Sequence, residues 1–565
     1  MCGIAGAVAR HVDDELLKQR VFTMTEALRH RGPDSAGFVD APGVSLGVRR
    51  LAIIDVEHGD QPLFSEDRQV ITIANCEIYN YVELREQLIR RGHTFATRSD
   101  AEVIVHLYEK HGAAFVEQLR GMFAIALWDA RRRRLLLARD RMGEKPLYLL
   151  ETSDALYFAS EMKALVASGV ASRELDPVAI DHFLHYSFVP EPRTAIRGIR
   201  KLPAATWLTL DLDDWKSEER RYWNIEDAPP IATDPVIAVR ERLDDIADIV
   251  VRSDVPVGIA LSGGLDSTAI AALVAKKGIA RCISVGYPGR PDNDESGFAK
   301  ETARALALPF TRVELQASDV ASTFEDLVAR QDDPIADIAA AGYAAVAWAA
   351  HETGTKVLLQ GQGGDELFWG YPWVVDAAKK TRRKNRLVFY ELTPQYEAAE
   401  RLWGDDAASV FTRPFDREHP DIAITSLICE TYLRCNGLAQ ADRLSMSYSV
   451  EPRNPFLDHR LVETVIGLRK HSSDVRLPPK TWLREAARDL VPAAVLARPK
   501  RGFRPPAVEW RAEVFARHGE KLIDGRLAAS GLIDRKLLRK FASPRRRQML
   551  LAFPLLVLEL WCRAF

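Results

Sequence analysis

The sequence predicts an α+β domain at its amino end, then an α/β domain with a parallel sheet and a helical carboxy-terminal part. Three observations carry this. Up to about residue 210, short apolar runs are punctuated by Gly, Pro and Asp. Around Asp211 to Pro235 the composition turns acidic and proline-bearing, with Pro229-Pro230 at the break. From Ile237 onward helical patterns alternate with short strands, the rhythm of a parallel sheet covered on both faces. The expected division is a first domain over 2–212, a linker over 213–235 and a second domain over 236–565.

The bulk composition narrows the function classes. The 565 residues, 47% hydrophobic and 28% charged with a net charge of -2, fit a soluble globular protein of two to four domains. There is no overall basic excess of the kind nucleic-acid binding requires. The 6 cysteines have no metal-like spacing, so a reducing cytoplasm is expected. Polar residues from Arg10 onward interrupt any signal-peptide pattern. Leu550 to Trp561 is too short and interrupted to span a bilayer and reads as a packing helix, so no membrane partner is expected.

In chain order, the expected strands are Ile4 to Val8, Val44 to Val48, Val70 to Ala74, Met122 to Trp128, Leu135 to Ala138 and Leu156 to Ala159. Glu15 to Leu28, Tyr81 to Arg90 and Asp100 to Tyr108 carry helical periodicity. In the second half, Val257 to Leu261, Arg281 to Val285 and Lys356 to Leu359 are the strands.

Cys2 follows the initiator and precedes a small residue, so removal of Met1 would place an α-amine beside its thiol. A thiol is only a few per cent ionised at pH 7, and an amine of pKa near 8 can serve as its base. After it come His30-Arg31-Gly32-Pro33-Asp34, Arg50 to Asp55, Gln61-Pro62, Asn75-Cys76-Glu77 and Ser99-Asp100-Ala101-Glu102. With the initial Cys-Gly-Ile, this set resembles the class II glutamine amidotransferases. The resemblance implies an N-terminal-nucleophile αββα sandwich in which Cys2 attacks the glutamine carboxamide. It also implies that the Asn75 side chain and the Cys76 N–H bind the oxyanion. Arg50 would pair with the α-carboxylate, Glu77 and Asp100 would hold the α-ammonium, and Ile53 would be a further glutamine-binding residue. These roles make chemical sense, since a zwitterion needs a fixed cation and carboxylates, and an oxyanion needs preorganised donors. The family has Gly where this chain has Cys76. If the position needs a positive φ, cysteine is strained there by about 1–2 kcal/mol.

The strand Val257 to Leu261 runs into Ser262-Gly263-Gly264-Leu265-Asp266-Ser267-Thr268, which opens a helix. The glycines let the backbone approach an anion, helix N–H groups point at it, and Asp266 can hold magnesium. SGGLDS resembles the pyrophosphate loop of ATP pyrophosphatases. Asp332 to Asp337, Gln360 to Glu366, Asp442-Arg443, Glu451, Arg453, Asp458, Lys480 and Arg498 to Phe503 follow in order. The two motif sets together resemble the glutamine-hydrolysing asparagine synthetase family over nearly the whole chain. That resemblance implies ATP and Mg²⁺, with glutamine and a carboxylic acid acceptor as substrates and a homodimer as the assembly. Leu261, Ser262, Gly263, Gly264, Asp266, Ser267, Val285 and Gly361 would bind ATP, Asp266 and Asp365 the metal. Lys480 would neutralise the α-phosphate, with Lys500 a further ATP candidate. An acyl-adenylate would form and ammonia would attack it after travelling between the domains.

Two departures bear on the acceptor. Gln362 stands where the family has Glu, and Gln360 where it has Ser; Asn454 replaces a commoner Val. Loss of a carboxylate can change discrimination strongly, which makes Gln362 and Asp337 the acceptor-site candidates, with aspartate or a related acid as substrate. An adenylate-forming ring synthetase of the β-lactam synthetase or lasso cyclase type is the alternative enzyme, and a non-catalytic relative the alternative non-enzyme. Retention of Cys2, Arg50, Asn75, Glu77 and Asp100 opposes the first; Asp266, Asp365 and Lys480 oppose the second.

Overall fold

The alternating runs of the amino-terminal part form two six-stranded antiparallel sheets in the computed structural model, which describes residues 2–289, 292–384, 386–404, 410–411, 414–498 and 505–565. The first sheet runs in the order Ile199–Lys201, Tyr148–Glu151, Ala155–Ala159, Cys2–Ala9, Val44–Arg50, Ser35–Ala41. The second runs Ser217–Arg221, Thr206–Asp211, Arg134–Arg139, Gly121–Asp129, Val70–Ile78, Leu63–Phe64. Ile4, Val48, Ile73, Leu137 and Phe158 interdigitate between the sheets and exclude solvent. Helix Asp14–Ala27 covers the first sheet through Leu17, Val21 and Met24, and helix Val103–His111 covers the second through Ile104 and Leu107. Covering both outer faces explains why every residue of Cys2–Ala9 is buried. The layer order is helix, sheet, sheet, helix.

Ser217–Arg221, read from sequence as linker, is a strand paired with Thr206–Asp211. Its five residues are all exposed, so it lacks the apolar alternation by which strands are recognised. Its charges suit an edge strand, where they discourage further pairing.

The second domain has a five-stranded parallel sheet in the order Phe310–Glu314, Arg281–Gly286, Val257–Ala260, Val357–Leu359, Glu451–Arg453. Ile259 and Leu359 point into one core, while Ile283 and Leu358 point into another, so both faces are buried. From the central strand the chain goes first to one side and then returns to the other. The strand ends at Leu261 and Gln360 therefore flank a topological switch point, where open α/β sheets bind ligands. The carboxy-terminal helix Met549–Ala564 packs Leu556, Leu560 and Trp561 into the core, and the Trp561 indole N–H donates to the Asp332 carbonyl at 2.7 Å. Among the described residues no helix is long and apolar enough to cross a membrane.

Candidate active sites

The first site lies at the edge where Cys2–Ala9 and Val70–Ile78 meet. Cys2 is buried, and its backbone N–H donates to Asn75 Oδ1 at 3.0 Å. The Asn75 Nδ2 amide is buried without a hydrogen-bond partner, a donor left over on the side chain that holds the Cys2 backbone. Gln61 Nε2 lies 3.8 Å from Cys2 Sγ, while the same side chain exchanges two hydrogen bonds with the Ala74 backbone at 3.0 and 2.6 Å. This is the physical content of the Gln61-Pro62 motif. Burial pushes the Cys2 thiol up, opposed by the Leu51 backbone N–H and the Arg50 charge. A thiol so placed needs a local base to react.

The expected glutamine residues divide. Asp100 accepts the Ile78 N–H at 2.8 Å and lies 3.7 Å from Cys76 Sγ; burial raises its carboxyl. Arg50 donates to the carbonyls of Ile54, Asp55 and Val56 and to Asp60 Oδ1 at 2.7–3.2 Å, which holds the loop carrying Ile53. Glu77 reaches the domain boundary, where Oε2 pairs with Arg453 Nη2 at 3.0 Å and Oε1 carries no hydrogen bond. Burial drives its carboxyl well up despite Arg453. Hydrogen bonding does not join Glu77 to Asp100. Cys76 is a regular strand residue opposite Phe123 and is absent from the positive-φ positions. The condition for backbone strain at this position, a positive φ, is not met.

Several motif residues turn out to hold the domains together. Arg31, fully buried, donates to Asp442 at 2.8 and 3.1 Å, to Glu161 at 2.8 Å and to the Cys2 carbonyl at 3.2 Å. Arg120 grips Asp458 at 2.6 and 3.0 Å. Asp333 accepts the Tyr148 hydroxyl at 2.6 Å and pairs with Lys201 at 2.8 Å. Asn454, the unusual residue, donates to Glu144 at 2.8 Å across the same boundary, where burial raises that carboxyl to about 8. Leu51, Ile53, Tyr79, Met122 and Met142 join synthetase-side residues in one continuous apolar core.

The second site is a cavity of about 1470 Å³ at the switch point. Common small-molecule sites measure roughly 300–1,000 Å³, so this one has room for two substrates. Leu261, Ser262, Gly263, Gly264, Asp266, Ser267, Val285 and Gly361 all line it, as do Asp337, Gln362, Asp365 and Lys480. Gly263 has φ +78°, a left-handed turn that glycine adopts without cost. Ser262 and Ser267 hydroxyls meet at 3.0 Å at the start of helix Leu265–Val274, the kind of helix end that suits an anion. Two loops nest closely here, since a Cβ on Gly364 would fall 2.8 Å from Asp266 Cγ. Lys480, itself at φ +62°, places its buried ammonium between Asp266 and Asp365, and the two carboxylates raise its pKa against the burial that lowers it. These carboxylates already converge on one cation and are hard oxygen donors, so they fit Mg²⁺.

Around the two acceptor-site candidates, Gln362 Nε2 donates to the Tyr343 hydroxyl at 3.2 Å. Asp337 Oδ1 accepts the Ala339 N–H at 3.0 Å, and its other oxygen lies 3.5 Å from Asn436 Nδ2. Two further groups stand in this wall, one on the glycine loop already singled out in the sequence and one that no motif marks. Glu366 is buried, accepts from Tyr371 at 3.1 Å, and burial with the Asp365 charge raises it to about 7. Arg511 faces the cavity with Nε lacking a hydrogen-bond partner; burial lowers its pKa and Asp337 opposes this. Glu366 was legible from its glycine-loop position, but Arg511 sits in an ordinary-looking helix. Lys500 lies outside the described residues.

Comparison with known proteins agrees with this two-site layout. Residues 1–223 match the glutamine amidotransferase domain family and residues 238–563 the asparagine synthase family. The chain is 33% identical over 564 residues to "Asparagine synthetase [glutamine-hydrolyzing] 1" of Bacillus subtilis, spanning 90% of this chain and 88% of that protein. It is 29% identical over 610 residues to "Amidase chyE" of Penicillium rubens, spanning 92% and 88%. It is 33% identical over 586 residues to a putative asparagine synthetase [glutamine-hydrolyzing] of Mycobacterium tuberculosis, spanning 90% and 88%.

Proposed function

Since the chain belongs to the asparagine synthetase family of glutamine-dependent ligases, we propose that it converts an amino-acid carboxylate to its carboxamide through an acyl-adenylate, with aspartate the first candidate. The observation that carries this is the pairing in one chain of a nucleophile site with an unused donor, Asn75 Nδ2, and a two-substrate cavity holding Lys480, Asp266 and Asp365. Arg511 and Asp337 offer that cavity one cation and one anion, the complement of an α-amino acid head group.

On this reading Met1 is removed, and the freed amine, oriented by Asn75 Oδ1, takes the Cys2 thiol proton. The thiolate attacks the glutamine carboxamide, with Asn75 Nδ2 and the Cys76 N–H receiving the oxyanion. Ammonia leaves and water hydrolyses the thioester to glutamate. Neutral ammonia crosses the apolar core shared by Leu51, Met122 and Met142. In the cavity, the Ser262–Ser267 loop holds the pyrophosphate of ATP while Lys480 neutralises the α-phosphate as the carboxylate oxygen attacks it. Mg²⁺ held by Asp266 and Asp365 would supply charge neutralisation on the departing pyrophosphate. Glu366 accepts a proton from the attacking nitrogen, a task that Gln362 cannot perform. AMP leaves.

The test is pyrophosphate release with ATP, Mg²⁺ and a panel of carboxylic acids, followed by product mass. Asparagine, AMP and pyrophosphate from aspartate support the full reading. Turnover with a different acid alone removes aspartate and keeps the ligase chemistry. Glutamate release that survives Cys2→Ala removes the nucleophile.

A further inference from the structure

The amino-terminal domain carries a side-chain cluster that neither site uses. Glu66 stands in the turn between Leu63–Phe64 and Val70–Ile78, and His93 in the turn after helix Tyr81–Ile89. His106 and Glu109 lie one turn apart on helix Val103–His111, so they share a face. One ligand atom from each lies within 4.8 Å of all the others. His93 Nδ1 is 3.1 Å from Glu66 Oε1 and 3.9 Å from Glu109 Oε2. His106 Nδ1 is 3.3 Å from Glu66 Oε2 and 3.8 Å from Glu109 Oε2. A tetrahedral ion with bonds of about 2.0–2.2 Å has edges of about 3.3–3.6 Å between its ligands, which these separations bracket.

A second observation is independent of that spacing. His106 is fully buried, and neither of its ring nitrogens makes a hydrogen bond. A buried imidazole left in that condition is costly, whereas a metal bond at Nδ1 would satisfy one nitrogen. Nε2 then faces Glu102 Oε1 at 3.9 Å, and Glu102 is itself fixed by the Ala96 and Thr97 N–H groups at 2.6 and 2.7 Å. A carboxylate behind a ligating histidine is how such rings are oriented.

We propose that Glu66, His93, His106 and Glu109 form a structural Zn²⁺ site. Two imidazoles favour zinc over the all-oxygen preferences of Mg²⁺ and Ca²⁺, and two carboxylates balance its charge. All four positions belong to protein side chains, the closed arrangement of structural rather than catalytic zinc. The ion ties two turns to one helix and braces the segment between His93 and Glu102, which carries Asp100 to the Cys2 site.

The test uses the full chain, stripped with a chelator and then titrated with Zn²⁺ alone, with bound metal counted by elemental analysis and Co²⁺ substitution read in the visible spectrum. One tightly bound ion per chain is expected, with the absorption of tetrahedral cobalt and a rise in melting temperature on zinc addition. His106→Ala and His93→Ala should each abolish all three, and Glu102→Gln should weaken binding about 10–100-fold. His58→Ala, at an exposed histidine outside the cluster, should change nothing. Because His93 is partly exposed, its variant keeps the test decisive if His106→Ala does not fold. Substoichiometric metal in the wild type, or undiminished binding in His93→Ala, would overturn the proposal.

Discussion

Replacing Asn75 by alanine should separate the two activities of this chain. Asn75 has two uses in the structure. Its Oδ1 accepts the Cys2 N–H at 3.0 Å, and its Nδ2 is buried with no hydrogen-bond partner. Removing one oxyanion donor costs about 10²–10³ in kcat, or about 2.7–4 kcal/mol. Loss of the bond that orients Cys2 adds about 1 kcal/mol, the worth of one net hydrogen bond. Glutamine-dependent synthesis should therefore fall roughly 10³-fold. KM for glutamine should move little, because Arg50 and Asp100 keep their supports at Ile54, Asp55 and Ile78. Synthesis fed directly with ammonia bypasses the site and should be unchanged, so each preparation carries its own control for folding. The assay is glutamate and pyrophosphate release measured with each nitrogen source. A loss under about 10-fold with glutamine, or an equal loss with ammonia, would refute the oxyanion assignment.

Three other substitutions probe different links. Lys480→Met should lower ATP–pyrophosphate exchange by about 10²-fold or more. It also leaves Asp266 and Asp365 without their shared ammonium, so Mg²⁺ should raise the variant's melting temperature more than the wild type's; equal shifts would count against a shared metal site. Arg31→Met should destabilise the chain by about 3–5 kcal/mol, as removing one partner of a buried ion network does. The lower end is expected because Asp442 keeps Lys145 at 3.5 Å and Glu161 keeps Lys163 at 2.9 Å; a denaturant midpoint unchanged from wild type would sink the idea. Glu366, raised to about 7 by burial and Asp365, binds its proton more tightly in the folded than in the unfolded chain. Stability should thus fall as pH rises from the ordinary carboxylate range to about 7, and Glu366→Gln should remove that fall in a melting-temperature series. Parallel curves for the two proteins would contradict the assignment.

Both domain classes were legible in the sequence, and the eight positions it marks for ATP line one cavity. This was possible because that chemistry is local: an apolar strand, two glycines and a helix start are contiguous in the chain. Cys2 and Asn75 were legible for a related reason, since each sits in a short motif on a strand. Where charges meet across long separations depends instead on packing. Arg31 and Asp442 lie 411 residues apart in sequence, and their pairing makes a domain clasp of what read as two unrelated motifs. Glu77 faces Arg453 across the boundary, and Arg511 becomes a cavity cation, through packing that no periodicity encodes. Ser217–Arg221 read as linker because an exposed edge strand has no apolar face to display. The Glu66, His93, His106 and Glu109 cluster escaped notice for a similar reason. Its spacing matches no metal motif, and two turns and a helix converge only when the helix docks on its sheet.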